Sequence, residues 1–437
     1  MKKYWLAAGA ALALASCATP GSNDPMVGFG PNPPLKAPQT SLIPLVGVPD
    51  VVGWAPGAAP QAPPGFVVTR YAEGLEHPRW LLVLPNGDVL AAESAGPGGV
   101  GDKTNTGIRA FFQKMLMKKV KSTVPSPNKI ILLRDTDGDG VADSKTVFAQ
   151  GLKSPFGMTL TGGRLYIANT DGVVSFPYRD GQAEVTGVGD KVFDLPGPPI
   201  NHHWTKNVVV SPDGTKLFAT VGSNSNIGDN GMEAEKGRAA IWVYDIASKQ
   251  ARVYADGIRN PNGIDFEPTT GAMWTVSNER DEIGADVPPD YLTTVKDGGF
   301  YGWPYSYWGQ NVDKRVKPPR PDLVAKAIAP DYGLGPHTAS LGLTFYRASA
   351  FPPQYRGGAF VGQHGSWNRQ PLNGYQVVFV PFANGRPQVP AQRFLTGFLN
   401  KDNKIQGRPV GVAVDAKGAL LVADDVGGIV WRVAPRG

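Results

Sequence analysis

Six times along the chain an apolar alternating run enters a turn rich in Gly, Asp, Asn or Pro and returns as a second alternating run. The copies begin at Pro78, Pro155, Thr205, Pro261, Ser340 and Pro409. Alternation with period two puts one face of a strand toward a core, and a short polar turn brings the chain back antiparallel. A hairpin of this size cannot bury both of its own faces, so its repetition implies stacking against like units. The expected fold is therefore all-β: a six-bladed β-propeller over residues 65–437, with four strands per blade around an axis. A large β-sandwich is the alternative, but it supplies no reason for one hairpin to recur. The 55 glycines and 41 prolines suit many short turns and oppose a helical repeat.

Two segments break the pattern. Residues 107–122, "GIRAFFQKMLMKKVKS", place Ile108, Phe111, Phe112, Met115, Leu116 and Val120 at helical spacing, with Arg109 and four lysines between them. That spacing predicts a short helical insertion packed on a blade; its basic face also suits anionic lipid or an acidic redox partner. Residues 17–64 are rich in Pro, Gly and Ala without a sustained period, which predicts a tether.

The first residues have the grammar of export. A charged "MKK" precedes "YWLAAGAALALAS", an apolar stretch too short to span a bilayer. It ends in Leu14-Ala15-Ser16-Cys17, which resembles a bacterial lipobox: residues 1–16 as signal peptide and Cys17 as the acylated new first residue. Cys17 is the only cysteine, so it has no intramolecular disulfide partner, and acylation would consume the thiol. Ala18 after the cysteine implies, by the same resemblance, a periplasmic protein anchored to the outer membrane. The net charge of +6 is not gathered into an Arg/Lys stripe with interleaved aromatics, so nucleic acid is not an expected partner.

Candidate chemistry gathers in the loops that enter the repeats. "NHHWTKN" places His202 and His203, two of only five histidines, just ahead of the third repeat. In a propeller such a loop lies at the mouth of the axial channel. An imidazole there can take a proton from a hydroxyl near neutral pH. The equivalent loop of the fourth repeat, "GIRNPNGIDF", supplies Arg259 and Asn260, and "IQGRPVGV" supplies Arg408 to the sixth. Guanidinium forks and an amide suit a ligand bearing carboxylates or carbonyls. After the fourth repeat, "VSNERDEIGADVPPD" offers Glu279, Asp281, Glu282 and Asp286. This is either an oxygen-ligand set for a hard cation such as Ca²⁺ or a solvated acidic loop. "DTDGDGVAD" spaces Asp135, Asp137, Asp139 and Asp143 like the start of a calcium loop, with Thr146 where a bidentate Glu would stand. It is a structural calcium turn or an Asp/Gly hairpin turn. The aromatic run "GGFYGWPYSYWG" is expected to be a packed loop corner.

Taken in order, "NHHWTKNVVVSPDG", "GIRNPNGIDF", "SNERDE" and "GGFYGWP" resemble the soluble PQQ-dependent sugar dehydrogenases, within them the L-sorbosone dehydrogenase-like branch, over roughly residues 64–435. The resemblance implies a six-bladed propeller that holds pyrroloquinoline quinone (PQQ) and Ca²⁺ on its axis. It implies oxidation of a sugar, sugar aldehyde or related alcohol by hydride transfer, with electrons passed to a soluble or membrane acceptor. It further implies His203 as the catalytic base, Arg259 and Asn260 beside the quinone, and Arg408 against a cofactor carboxylate, with Arg238 as a further neighbour. Glu279, Arg280 and Asp281 would form the calcium loop, partly through backbone carbonyls. Two departures stand out. The fifth repeat carries "GQHGSWNR", with His364, Asn368 and Arg369, where glucose-oxidising members place a lysine near the cofactor, and Trp204 differs from the glucose-type loop. Glucose is thus not the implied substrate. A propeller that only binds a glycan or protein, and a calcium-dependent lactonase without quinone, are the other readings.

Overall fold

Each of the six hairpins forms the two inner strands of a sheet in the computed structural model, which describes residues 19–39, 49–97, 124–199 and 201–436. The inner pairs are Pro78–Val83 with Val89–Glu93, Met158–Thr161 with Arg164–Asn169, and Val208–Val210 with Lys216–Val221. Then follow Asn260–Phe266 with Met273–Asn278, Ser340–Phe345 with Ala359–Gln363, and Pro409–Val414 with Leu420–Asp424. Outer strands complete each antiparallel sheet. The first strand of every blade contacts the first strand of the next, and the sixth contacts the first, so the ring is unbroken. This is the six-bladed propeller, and the sandwich alternative falls.

Closure joins the two ends of the domain. Phe66–Glu73 is the outermost strand of the sixth blade and pairs with Ile429–Pro435, from Phe66↔Pro435 to Glu73↔Ile429. Hydrogen bonding across that seam removes open sheet edges at the point where a ring would otherwise come apart. Phe66 adds edge-to-face contacts to Phe351, Tyr355 and Phe394 at centroid distances of 4.7, 5.5 and 5.2 Å. Each such pair contributes about 0.5–1.5 kcal/mol beyond the area it buries. The inner strands approach closely because glycine stands between them: a Cβ on Gly263 would lie 2.6 Å from Leu343 N.

The described parts of the expected tether are fastened to the propeller. Phe29–Gly30 adds a fifth strand to the fourth blade through Tyr332–Pro336. Gly21 N donates to Gln370 O at 2.7 Å, Ser22 N donates to Asp286 Oδ2 at 2.8 Å, and Lys36 Nζ pairs with Asp286 at 2.6 Å. Further on, Trp54 Nε1 donates to Asp424 Oδ2 at 2.7 Å. Proline prevents a helix here but leaves the chain extended, and an extended chain can add to a sheet edge. The helix expected at 107–122, the signal peptide and Cys17 lie outside the described residues. No helix among the described residues is long and apolar enough to cross a membrane.

First strands begin, and second strands end, on one face of the ring, as Asn260↔Asn278, Ser340↔Gln363 and Pro409↔Asp424 show. All the entering loops therefore share one rim.

Candidate active site

On that rim the loops enclose an axial cavity of about 270 Å³. His203, Arg259, Asn260, Arg408, Glu279 and Asp281 all line it. The six come from the third, fourth and sixth blades, and the shared rim alone brings them together.

His203 is half-buried, and its Nδ1 lies 2.9 Å from Ser223 O and 3.0 Å from Ser223 Oγ. A carbonyl oxygen only accepts, so Nδ1 carries the hydrogen and Nε2 keeps its lone pair. Burial, with the Arg259 charge added, holds the imidazole well below the ordinary histidine range. His203 is thus a neutral base of defined tautomer. Its loop is braced from behind. Lys206, fully buried, donates Nζ to His203 O at 3.3 Å, and burial together with the Arg238 charge pushes its amine far below the usual lysine range. Thr170 Oγ1 donates to Trp204 O at 3.1 Å. Gly222 permits the close approach of the third and fourth blades here: a Cβ at that position would stand 2.4 Å from both His203 Cβ and Asn260 Oδ1.

Arg259 is buried and held on three sides. It donates Nε to Asn226 O at 3.1 Å, one terminal nitrogen to Glu279 O at 2.7 Å, and the other to Asn226 Oδ1 at 2.9 Å. That last nitrogen also stands 3.3 Å from Asp281 Oδ2. Beside it, Asn260 Nδ2 donates to Asn278 Oδ1 at 3.1 Å while its buried Oδ1 has no partner.

The acidic wall is formed by Asp281 and Asp290, with His337 between them. Burial would raise the Asp281 carboxyl, but His337, Arg259 and a 2.6 Å bond from Asn368 hold it well below the carboxylate range. Asp290 accepts from Glu279 N at 2.9 Å, and burial pushes it up to about 6. Arg79 and Arg408 add cationic groups to the lining. Arg79 pairs with Asp425 at 2.5 Å and lies 5.5 Å from the Trp204 ring centroid. Arg408 donates to His364 O and Gly365 O, both at 2.8 Å. His364 Nε2 stands 2.9 Å from Asp425 Oδ2. Burial, then the Arg408 charge, lowers its imidazole to about 3, so it is neutral and donates to the carboxylate.

The cavity thus offers three guanidinium groups, the indoles of Trp204 and Trp367, and two unpartnered polar atoms of lining residues, Arg79 Nε and Asn260 Oδ1. This set fits a planar polyanion on the arginine side, and the acidic wall fits a hard cation. A family model described as TrAA12-like matches residues 127–296 and 323–436. The chain belongs to the TrAA12-like family.

Over 360 residues it is 27% identical to the pyrroloquinoline quinone-dependent pyranose dehydrogenase of Coprinopsis cinerea. That match covers 68% of this chain and 48% of that protein, so the chain spans about half the length of this relative. Among solved structures it is similar to the holo form of the pyranose dehydrogenase PQQ domain from Coprinopsis cinerea. There the TM-score is 0.66 and the identity 23%, over 87% of this chain and 98% of that one. It is also similar to the calcium structure of the Trichoderma reesei carbohydrate-active enzyme of family AA12. There the TM-score is 0.67 and the identity 20%, over 86% of this chain and 97% of that one. These likenesses show the shared propeller.

In this TrAA12-like chain the side chains of Arg280 and Arg238 sit outside the cavity lining, and the aspartate turn lies apart from it, as a structural rather than a catalytic site would. The Arg280 side chain does not line the cavity. It is fully buried against Glu279, Asp313, Pro304 O and Ser306 O, because a guanidinium in the interior needs every donor met. Arg238 lies behind the His203 loop, donating to Asn201 Oδ1 at 2.7 Å and to Gly197 O. The aspartate turn is on the opposite face, where Arg134↔Ser144 closes the first blade's outer hairpin. Carboxylate oxygens of Asp135, Asp137 and Asp143 lie within 4.8 Å of one another, whereas Asp139 stands apart and caps Val141 N at 2.7 Å. The aromatic run is a packed corner: Tyr301, Trp303 and Tyr307 are buried, and none lines the cavity. Sequence reading missed Arg79, Asp425 and Asn226: Arg79 follows Pro78 at the head of the first repeat, a signal that was available, whereas Asp425 and Asn226 lie past the ends of second strands, outside the entering loops.

Proposed function

We propose that this TrAA12-like protein is a PQQ- and calcium-dependent oxidoreductase that oxidises a sugar, sugar aldehyde or related alcohol in the axial cavity. The observation that carries the reading is the neutral His203, whose Nδ1–H is committed to Ser223 and whose Nε2 is left to accept a hydroxyl proton. Arg259, locked by Asn226 and Glu279, stabilises negative charge growing nearby without having to reorganise. Arg79 and Arg408 would hold the cofactor's carboxylates, and Asp281 with the Glu279 carbonyl would hold calcium. A bound PQQ supplies the two-electron acceptor for the substrate's hydride. The relative named as a PQQ-dependent pyranose dehydrogenase supports the sugar class.

The test is reconstitution of the apo protein with PQQ and Ca²⁺, followed by dye reduction across aldoses, aldehydes and alcohols. His203→Ala should lower turnover about 10²–10⁴-fold while PQQ binding is kept. A chain that binds PQQ yet reduces no dye with any of these substrates would sink the proposal.

We also propose that Cys17 carries a lipid anchor at the periplasmic side of the outer membrane. Gly21 is bonded to Gln370, on the loop whose Trp367 and Asn368 line the cavity. Four residues of chain reach about 14 Å at most, so the anchor would hold the cavity rim near the membrane surface and favour a membrane acceptor. Cys17→Ser should shift the protein to the soluble fraction; retention in the membrane fraction refutes the anchor.

A further inference from the structure

We propose that Glu235 is the positioning residue of this site, setting both the tautomer of His203 and the seat of Arg259 through one turn, residues 223–226. The proposal deepens the oxidoreductase reading and rests on it.

Glu235 ends the 3₁₀ turn Met232–Glu235 and is 4% exposed. Its Oε1 accepts from Ser225 N at 3.0 Å and from Ser225 Oγ at 2.7 Å; its Oε2 accepts from Asn224 N at 2.6 Å. Three donors on two consecutive residues leave the turn one orientation. Only an acceptor-only group satisfies all three, which an ionised carboxylate is and an amide is not. Burial raises the Glu235 carboxyl, while these hydrogen bonds and the Arg238 charge oppose that.

The turn transmits this order in two directions. Ser223 Oγ donates to Ser225 O at 2.7 Å, so its hydroxyl hydrogen is spent within the turn. Ser223 therefore shows His203 two acceptors, Oγ and O, and no donor. Only the Nδ1–H tautomer fits, and that tautomer frees Nε2. In the other direction, Asn226 supplies two of the oxygens that hold Arg259, its carbonyl and its Oδ1, and that Oδ1 also accepts from Asp281 N at 2.9 Å. Ser223 N closes the circuit by donating to Arg259 O at 2.8 Å. Base and arginine are thus gripped by the two ends of one turn, Ser223 and Asn226, and the turn is gripped by Glu235. The charged or titratable groups facing the imidazole are Arg259, His202 and Asp281; Arg238 faces the carboxylate.

The decisive experiment reads the tautomer directly. Apo protein carrying ¹⁵N-histidine has five imidazoles, and His203 is assigned by its absence in His203→Gln. Two-bond ¹⁵N–¹H spectra of the wild type at neutral pH should show His203 as the Nδ1–H form alone. In Glu235→Gln, with folding checked by thermal melting, the Nε2–H form should appear. The reconstituted variant should lose about 10²-fold in kcat, the scale of a slightly misplaced catalytic group, with KM changed much less. Glu235→Asp, which restores an acceptor-only group, should recover part of both losses. A folded Glu235→Gln whose His203 stays wholly Nδ1–H with unchanged kcat overturns the proposal. If Glu235→Gln does not fold, Ser225→Ala removes one of the three bonds and should show a smaller rise of the Nε2–H form; an unchanged tautomer there also overturns it. A wild-type His203 in the Nε2–H form would instead overturn its assignment as the base.

Discussion

Replacing Gly222 by alanine tests the geometry of the site without removing any chemical group. The added Cβ would stand 2.4 Å from His203 Cβ and 2.4 Å from Asn260 Oδ1. Ordinary contact between carbons is about 3.5–4.0 Å, so something must move by more than about 1 Å. The backbone cannot easily yield. Val221 on one side is paired with Ala240, and Ser223 on the other donates to Arg259 O. The imidazole and the Asn260 amide are what remain. Overpacking of this kind costs about 1–3 kcal/mol of stability, and a base displaced by about 1 Å loses on the order of 10²-fold in rate. Arg79 and Arg408 do not touch Gly222, so PQQ affinity should fall far less than turnover. The assay pairs thermal melting with steady-state dye reduction by the reconstituted enzyme. Wild-type turnover together with an unchanged melting temperature would mean that the third and fourth blades do not meet as described.

The acid limb of kcat/KM should lie below pH 6.5, because the group that must be unprotonated, His203, is lowered by burial and by Arg259; a limb at or above that pH, removed by His203→Ala, contradicts the assignment. Asp286→Asn leaves the buried Arg369 without its counter-charge. Breaking such a pair costs about 3–5 kcal/mol, and because Arg369 keeps Ala285 O, Ser22 O and Pro371 O as acceptors, the lower end is expected in chemical denaturation. The same variant loses a bond to Ser22 and one to Lys36, so limited proteolysis within residues 19–39 should speed up. Asp281→Asn should raise the calcium concentration needed for half-maximal activity, whereas Asp135→Asn, on the opposite face, should leave that concentration unchanged in the same titration.

Alternation is a local property, and it carried the fold. A strand whose faces meet two neighbouring blades must repeat its apolar pattern within a few residues, and each hairpin did so at the place where an inner pair now stands. The position of His203, Arg259, Asn260 and Arg408 on one rim followed from that pattern, since a loop entering a first strand has only one face to occupy. The rest depended on contacts that sequence order does not encode. Arg79 meets Asp425 across 346 positions only because the ring closes. Ser223, Asn226 and Glu235 look like an ordinary polar loop until a turn folds their donors and acceptors onto His203 and Arg259. Arg280 lies between Glu279 and Asp281 along the chain, and Arg238 was expected as a neighbour of the site, yet their guanidiniums found acceptors elsewhere, because each side chain settles where its hydrogen bonds are met. Composition predicted a Pro/Gly-rich tether over residues 17–64, but composition averages over positions, and bonds at Gly21, Ser22 and Lys36 fasten its described residues 19–39 to the propeller. Periodicity therefore determined which strands form and where their loops emerge. Closure of the ring determined which distant side chains meet there, because that depends on the three-dimensional distance between loops and not on their spacing along the chain.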